Sequence, residues 1–397
     1  MSNSNAYVDF SDTETAFASK SDKELKKSLL LFKLMTKSWL VDLATWVGGW
    51  AVRWQLPFAK MIVKETIFEQ FVGGETLSES QNSIERLWSS RILTVLDYGA
   101  EGKSAEPDLD EARDQFLEAV TFAASNESVP VVSVKMSALA QNQLLEKVQK
   151  GNNLSSAEAI RFKSVQSRIK AVVEKAFDLG VKIFIDAEES WIQETIDDIV
   201  ENLMRIYNKN GVVVYQTFQM YRKDRYQYLI DLFTLSENEG FILGAKLVRG
   251  AYMEKERERA EELEYPSPIH LTKQDVDHDF NRAVKFCVER YQKIASCAAT
   301  HNVESCLFQA KLIGDLNLPR NHPHLNFCQL YGMSDHITFN LAANGYNVAK
   351  YVVYGKVAEV VPYLTRRAEE NTAAKGEFGR EYRLLLEEYQ RRNHLTQ

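Results

Sequence analysis

Cysteine is scarce: four occur in 397 residues, at Cys287, Cys297, Cys306 and Cys328, and none has CxxC spacing. That excludes a disulfide framework or a thiolate metal site and predicts buried, unlinked thiols in a reducing compartment. Histidine is almost as thin, seven residues. Neither the NHPH string with His322 and His324 nor the other histidines have ligand spacing, so no metal is expected. GxGxxG, GxxxxGK[ST] and HExxH are all missing, which excludes a Rossmann turn, a P-loop and a zinc-protease helix. There is no basic surplus either. Lys and Arg number 48 against 55 Asp and Glu, a net charge of −7, which argues against nucleic acid as the main partner. No apolar run approaches the ~20 residues that span a bilayer. The most apolar stretch, Leu29–Trp54, is broken by Lys33, Lys37, Asp42 and Arg53. Met1–Ser21 is polar without an apolar core, so no secretory signal is expected and the reading is cytoplasmic. No internal repeat is evident.

What is present suits a folded chain with a sizeable core, since 45% of residues are hydrophobic and 26% charged. Residues up to Trp88 read as successive helices, for example Asp22–Thr36 with Leu25, Leu29, Phe32 and Met35 on its apolar side. We therefore expect an N-terminal helical arm over 1–90 and a barrel over 91–397. From Arg91 onward short β-branched runs alternate with longer amphipathic segments. Eight such runs are Ile92–Tyr98, Val129–Met136, Lys182–Ala187, Val212–Thr217, Leu243–Arg249, Ser296–Thr300, Leu325–Tyr331 and Ala349–Val353. Most are apolar throughout, the pattern of a parallel strand covered on both faces. Helical patterns fill the gaps, clearest at Ala157–Leu179, Trp191–Tyr207, Val276–Lys293 and Val303–Leu312. Gly99–Asp110 reads as a loop. Eight strand–helix units predict an α/β fold, a (βα)8 TIM-type barrel, with an open doubly wound sheet as the alternative.

Barrel chemistry sits at the carboxyl ends of the strands. There lie Lys135, Asp186, Gln216, Lys246, Gly250–Tyr252, Thr300–His301, Leu330 and Tyr351, far more polar as a group than the strand bodies. A lysine within VVSVKMSAL and an aspartate ending KIFID are costly to bury without partners, so they face a polar pocket or form structural ion pairs. After the eighth run, YLTRRAEEN places Arg366 and Glu370 on one helix face with Arg367 beside them. Two guanidinium forks suit a carboxylate ligand. Taken alone, RRAEE is an ordinary solvated face.

KLVRGAYMEKER (Lys246–Arg257), FIDAEESW (Phe184–Trp191), ATHN (Ala299–Asn302), FCQLYGM (Phe327–Met333) and YLTRRAEEN (Tyr363–Asn371) together resemble the proline dehydrogenase family. VKMSAL (Val134–Leu139) and VGGET (Val72–Thr76) agree, and the resemblance spans Phe71 to Thr372. It implies an FAD-binding, distorted (βα)8 barrel whose final helix lies over the mouth. It also implies oxidation of L-proline to Δ1-pyrroline-5-carboxylate. By the same resemblance Arg366 and Arg367 bind the proline carboxylate with Lys135 assisting. Tyr351, Leu330 and Tyr252 enclose the ring, Asp186 anchors the polar network, and Glu370 orients arginine and flavin groups. The flavin side is Ala187, Gln216, Lys246, Val248, Arg249, Gly250, Ala251, Thr300 and His301. Lys246 stands where many bacterial relatives have arginine, which keeps the cation and loses the planar fork. Met253 replaces an aromatic residue of some relatives, with no consequence assigned.

The implied reaction is hydride transfer from the proline ring to flavin N5, governed by positioning, with electrons passing to a quinone. Pyrroline-5-carboxylate dehydrogenase is the implied downstream partner. Trp39, Trp46, Trp50 and Trp54 with interspersed Lys and Arg make the arm a candidate for peripheral contact with the inner face of the membrane; packing against the chain's own barrel is the plainer reading. Three rivals stay open. Hydroxyproline dehydrogenase is disfavoured by the bulk of Tyr351. The others are an aldolase-like barrel using Lys135 or Lys246 as a Schiff-base amine, and a non-catalytic scaffold.

Overall fold

The apolar runs form strands and the amphipathic segments between them form helices, in the expected order. The computed structural model describes residues 7–35, 67–99, 102, 104–373 and 377–395, without the side chains of 367–373, 377, 378 and 395. The fold is a (βα)8 barrel of parallel strands. A short strand β1 (Val72–Gly74) precedes its eight strands. These are β2 (Leu93–Tyr98), β3 (Val131–Val134), β4 (Lys182–Ile185), β5 (Val214–Gln219), β6 (Leu243–Val248), β7 (Ile294–Ala299), β8 (Leu325–Leu330) and β9 (Asn347–Tyr354). Contacts gather the chain into two units, Val95–Cys328 and Met1–Thr94 with Gln329–Gln397.

Within Val95–Cys328 every neighbouring pair of strands is parallel, and β3 and β5 are buried along their whole length. Burial on both faces explains the unbroken apolar runs. Register then decides what each face carries. Asp97 pairs with Ser133, Ser133 with Phe184, and Phe184 with Tyr215. Side chains alternate with a period of two, so Lys135, Asp186, Thr217 and Gln219 share that face. Lys246 joins it through its pairing with Thr217, and Cys297 through Lys246. The opposite face meets helices. The helix Ser156–Leu179 opens with a capping box in which Ser155 and Glu158 satisfy each other's backbone N–H. The stretch expected as a loop over Gly99–Asp110 already turns helical at Glu106. Pro107 is tolerated there because first-turn N–H groups have no helical acceptor.

The other unit joins the two ends of the chain. Its helix Asp22–Met35 buries Leu25, Ser28, Phe32 and Met35, close to the stripe expected from sequence. The arm is not wholly helical, since β1 pairs in parallel with β9; two adjacent glycines in VGGET leave little helix propensity and give the backbone to the sheet instead. A last helix, Glu377–Leu395, was not anticipated. It packs on Asp22–Met35 and on Thr13–Phe17. Its Glu388 carboxylate is fully buried and takes Arg391 at 2.8 Å and Arg392 at 2.7 Å. Arg392 also donates to the carbonyls of Phe17 (2.9 Å) and Lys20 (2.8 Å), which places a cation at the negative end of the first helix. The four tryptophans Trp39, Trp46, Trp50 and Trp54 lie outside the described residues.

Candidate active site

Four charges of alternating sign run along the inner face of β2, β3, β4 and β6. The Lys135 ammonium donates to both oxygens of Asp97, at 2.8 and 3.1 Å, and lies 3.6 Å from Asp186. Asp186 in turn accepts from Lys246 at 2.5 Å and from the Ser133 hydroxyl at 3.0 Å. Side-chain exposure is only 1% for Asp97, 8% for Lys135, 6% for Lys246 and 13% for Asp186, so bulk water neutralises none of them. Burying an ion alone costs several kcal/mol (about 3–5 when a partner is removed), and the alternation offsets this. The sequence had singled out Lys135, Asp186 and Lys246, and the structure brings them together. Asp97 was missed, although an aspartate inside LTVLDY is the same signal that marked Lys135.

Two further buried groups on this face lack partners. Among the described residues neither Thr217 Oγ1 nor Gln219 Oε1 finds a hydrogen-bond partner, and both residues are over 95% buried. A buried oxygen without a donor is destabilising, so these atoms suit a bound group with polar edges. Gln216, the expected cofactor residue, looks the other way. Its amide N–H2 donates to Asp197 of the helix Ser190–Tyr207, where Gln193 (2.7 Å) and Arg225 (2.5 Å) also donate. Burial holds the Asp197 carboxyl above its ordinary value against the opposing pull of Arg225, and three side chains donate N–H groups to it. The two glutamines of YQTFQ are three residues apart and therefore on opposite faces.

Around the strand ends, Arg249 is held on the helix side. It donates to Asp277 at 2.8 Å, Thr300 at 2.6 Å and Ser305 at 2.9 Å, and its guanidinium lies 4.3 Å from the centre of the Phe280 ring. Arg249 and Thr300 thus meet as a pair. Gly250 has φ +135°, and a Cβ there would come within 2.5 Å of the Tyr221 ring. Glycine is required by both conformation and space, but the close neighbour is Tyr221, not only a ligand. Val248, Arg249, Gly250, Ala187 and His301 are partly exposed, Ala251 is exposed, and Thr300 and Tyr252 are buried. All four cysteines are buried, and Cys297 is held well above its ordinary value by its hydrogen bond to Cys328 and by burial. It remains a thiol, as expected from its spacing.

In the other unit, Tyr351 is buried and its carbonyl accepts from the Tyr331 N–H at 3.0 Å, beside the half-buried Leu330. Gly332 is the turn of this loop: φ is +76° and a Cβ would lie 1.9 Å from the Gln70 carbonyl. Arg366 is half-buried on the helix Val357–Ala373, which contains Pro362. The side chains of Arg367 and Glu370 lie outside the described residues.

The family model for proline dehydrogenase matches residues 80–380. The carbapenem antibiotics biosynthesis protein CarD of Pectobacterium carotovorum subsp. carotovorum is 34% identical over 322 residues, covering 81% of this chain and 83% of CarD. The mitochondrial proline dehydrogenase 1 of Drosophila melanogaster is 36% identical over 241 residues, 58% of this chain and 35% of the fly protein. Among solved structures, proline utilization A (PutA) of Bdellovibrio bacteriovorus, inactivated by N-propargylglycine, superposes with a TM-score of 0.72 at 22% identity. The match covers 82% of this chain and 35% of PutA. The chain therefore spans about a third of the fly and PutA proteins and most of CarD.

Proposed function

Because the chain belongs to the proline dehydrogenase family and is an enzyme of that family, we propose that it oxidises L-proline to Δ1-pyrroline-5-carboxylate with FAD, electrons passing on to a quinone. The observation that carries this reading is the buried Asp97–Lys135–Asp186–Lys246 chain beside two buried oxygens without partners. The charges answer one another, but the two oxygens cost stability unless a polar ligand completes them. In this reading residues 91–397 are the catalytic barrel and 1–90 its arm.

When bound, the flavin supplies the acceptor, at N5, for the hydride that leaves the proline ring. Lys246, Val248, Gly250, Ala251, Ala187, Arg249, Thr300 and His301 would hold it, with Gln219 taking the place expected of Gln216. Lys246 places a fixed cation there, suited to negative charge. Arg366 and Arg367 would take the substrate carboxylate as bidentate donors, helped by Lys135, and Glu370 would orient them. Tyr252, Leu330 and Tyr351 would enclose the ring and exclude water. Asp186 keeps both lysines in ion pairs, which weighs against the Schiff-base reading, since that chemistry needs a neutral amine. Tyr351 sets proline above hydroxyproline.

No described helix is long and apolar enough to cross a membrane; a cytoplasmic site of action with peripheral membrane contact through the arm, and delivery of product to a pyrroline-5-carboxylate dehydrogenase, are part of the same proposal. The test is a visible spectrum of the purified protein before and after anaerobic L-proline. A flavin band that bleaches on addition is expected. A protein without a flavin band, or a band indifferent to proline, overturns the reading.

A further inference from the structure

We propose that Asp97 is a positioning residue for substrate binding: its carboxylate holds the Lys135 ammonium where a substrate carboxylate is received. The inference rests on the proline reading above. The two aspartates of the charge chain are not equivalent. Asp186 is shared among Lys246 at 2.5 Å, Ser133 at 3.0 Å and, more distantly, Lys135 at 3.6 Å. Asp97 meets Lys135 through both oxygens, at 2.8 and 3.1 Å, and is the more deeply buried. Its register partner is Ser133, so Lys135 stands one same-face position further toward the carboxyl end of β3. Asp97 thus reaches toward the mouth from below to grip the lysine.

A lysine is a point charge on a flexible four-carbon stem. Without Asp97 the ammonium would be drawn to Asp186, which already serves Lys246. Held by Asp97, Lys135 loses its rotamer freedom before substrate arrives, so the ordering cost is not charged to binding. The role concerns affinity and leaves the hydride step alone. Asp97 is therefore expected to move KM and not kcat.

The experiment is a double-mutant cycle on the flavin-loaded protein with Asp97→Asn, Lys135→Met and both together. Binding of cyclopentanecarboxylate, which lacks the ring nitrogen and cannot be oxidised, is followed through the flavin band. Asp97→Asn is expected to weaken that binding about tenfold, the scale of one charge-assisted hydrogen bond, and to raise KM for proline alike while kcat and flavin content stay within about twofold. In the Lys135→Met background the same change should cost less than about twofold. Equal losses in both backgrounds, or none in the first, overturn the inference. Should Asp97→Asn fail to fold, whether or not the double variant folds, the pair serves the fold and the inference falls. A wild type that proline does not bleach sinks the functional reading instead.

Discussion

Two regions bury lysines in ion pairs, and they differ in what lies beside the paired charges. On β9, facing the loop and helix that follow β8, Lys350 is 0% exposed. Its ammonium meets Asp335 at 2.9 Å and donates to the carbonyls of Leu330, at 3.4 Å, and Met333. Asp335 takes Lys20 at 3.4 Å on its other oxygen. Burial alone would raise Asp335, yet Lys350 and Lys20 hold it well below the usual carboxylate range. The cluster is closed: three donors on Lys350, three acceptors. At the strand ends of Val95–Cys328 the same alternation of charge ends beside Thr217 and Gln219 oxygens that nothing described answers. A saturated cluster holds the chain together; one with open hydrogen-bonding capacity is prepared for a ligand.

The comparison breaks most visibly at Lys350. Lys350→Met leaves Asp335 with one partner and strips two carbonyls of their donor, so a loss of about 3–5 kcal/mol in unfolding free energy is expected. Urea denaturation followed by circular dichroism measures it, and a midpoint equal to that of the wild type would show the cluster to be idle. Lys246→Met is the counterpart in the open cluster. Asp186 keeps Ser133 and Lys135, so less stability is lost, while kcat/KM for proline should fall about a hundredfold, equivalent to about 2.7 kcal/mol of transition-state stabilisation. If the two variants trade places, stability falling with Lys246 and activity with Lys350 alone, the distinction between closed and open clusters is wrong.

Much of this was legible in the residues. All eight barrel strands lie within a residue or two of their apolar runs, because a strand covered on both faces must be apolar throughout. The same property hides which face a polar residue takes: LTVLDY and VVVYQTFQ carry no alternation from which to read it, and only register with neighbouring strands decides. That is why the sequence does not mark Asp97, and why only register shows Gln216 turned to the helices and Gln219 to the inner face. Helix Glu106–Ala124 was read partly as loop because Gly102, Pro107 and clustered acids mimic a turn, whereas Pro107 and Asp108 are helix-starting residues. The helix Glu377–Leu395 escaped because its charges dominate its sequence. Its apolar and buried side is set by partners from the far end of the chain, such as Thr13 on Glu388 at 3.2 Å.

The smallest expected effects distinguish those two glutamines. Gln219→Leu keeps the volume roughly while removing the buried oxygen offered to a ligand. A flavin that accepts its partnership should be held about tenfold more weakly, measured as fluorescence released on dilution of the flavin-loaded protein. Gln216→Leu removes one donor from Asp197, to which Gln193 and Arg225 still donate. About 1 kcal/mol of stability is the scale of that loss, with flavin affinity unchanged because the side chain faces the helices. A reversed pattern, with flavin loosened by Gln216→Leu and untouched by Gln219→Leu, would mean that the cofactor lies against the outer face of β5, and the whole inner-face charge chain would lose its claim to be the site.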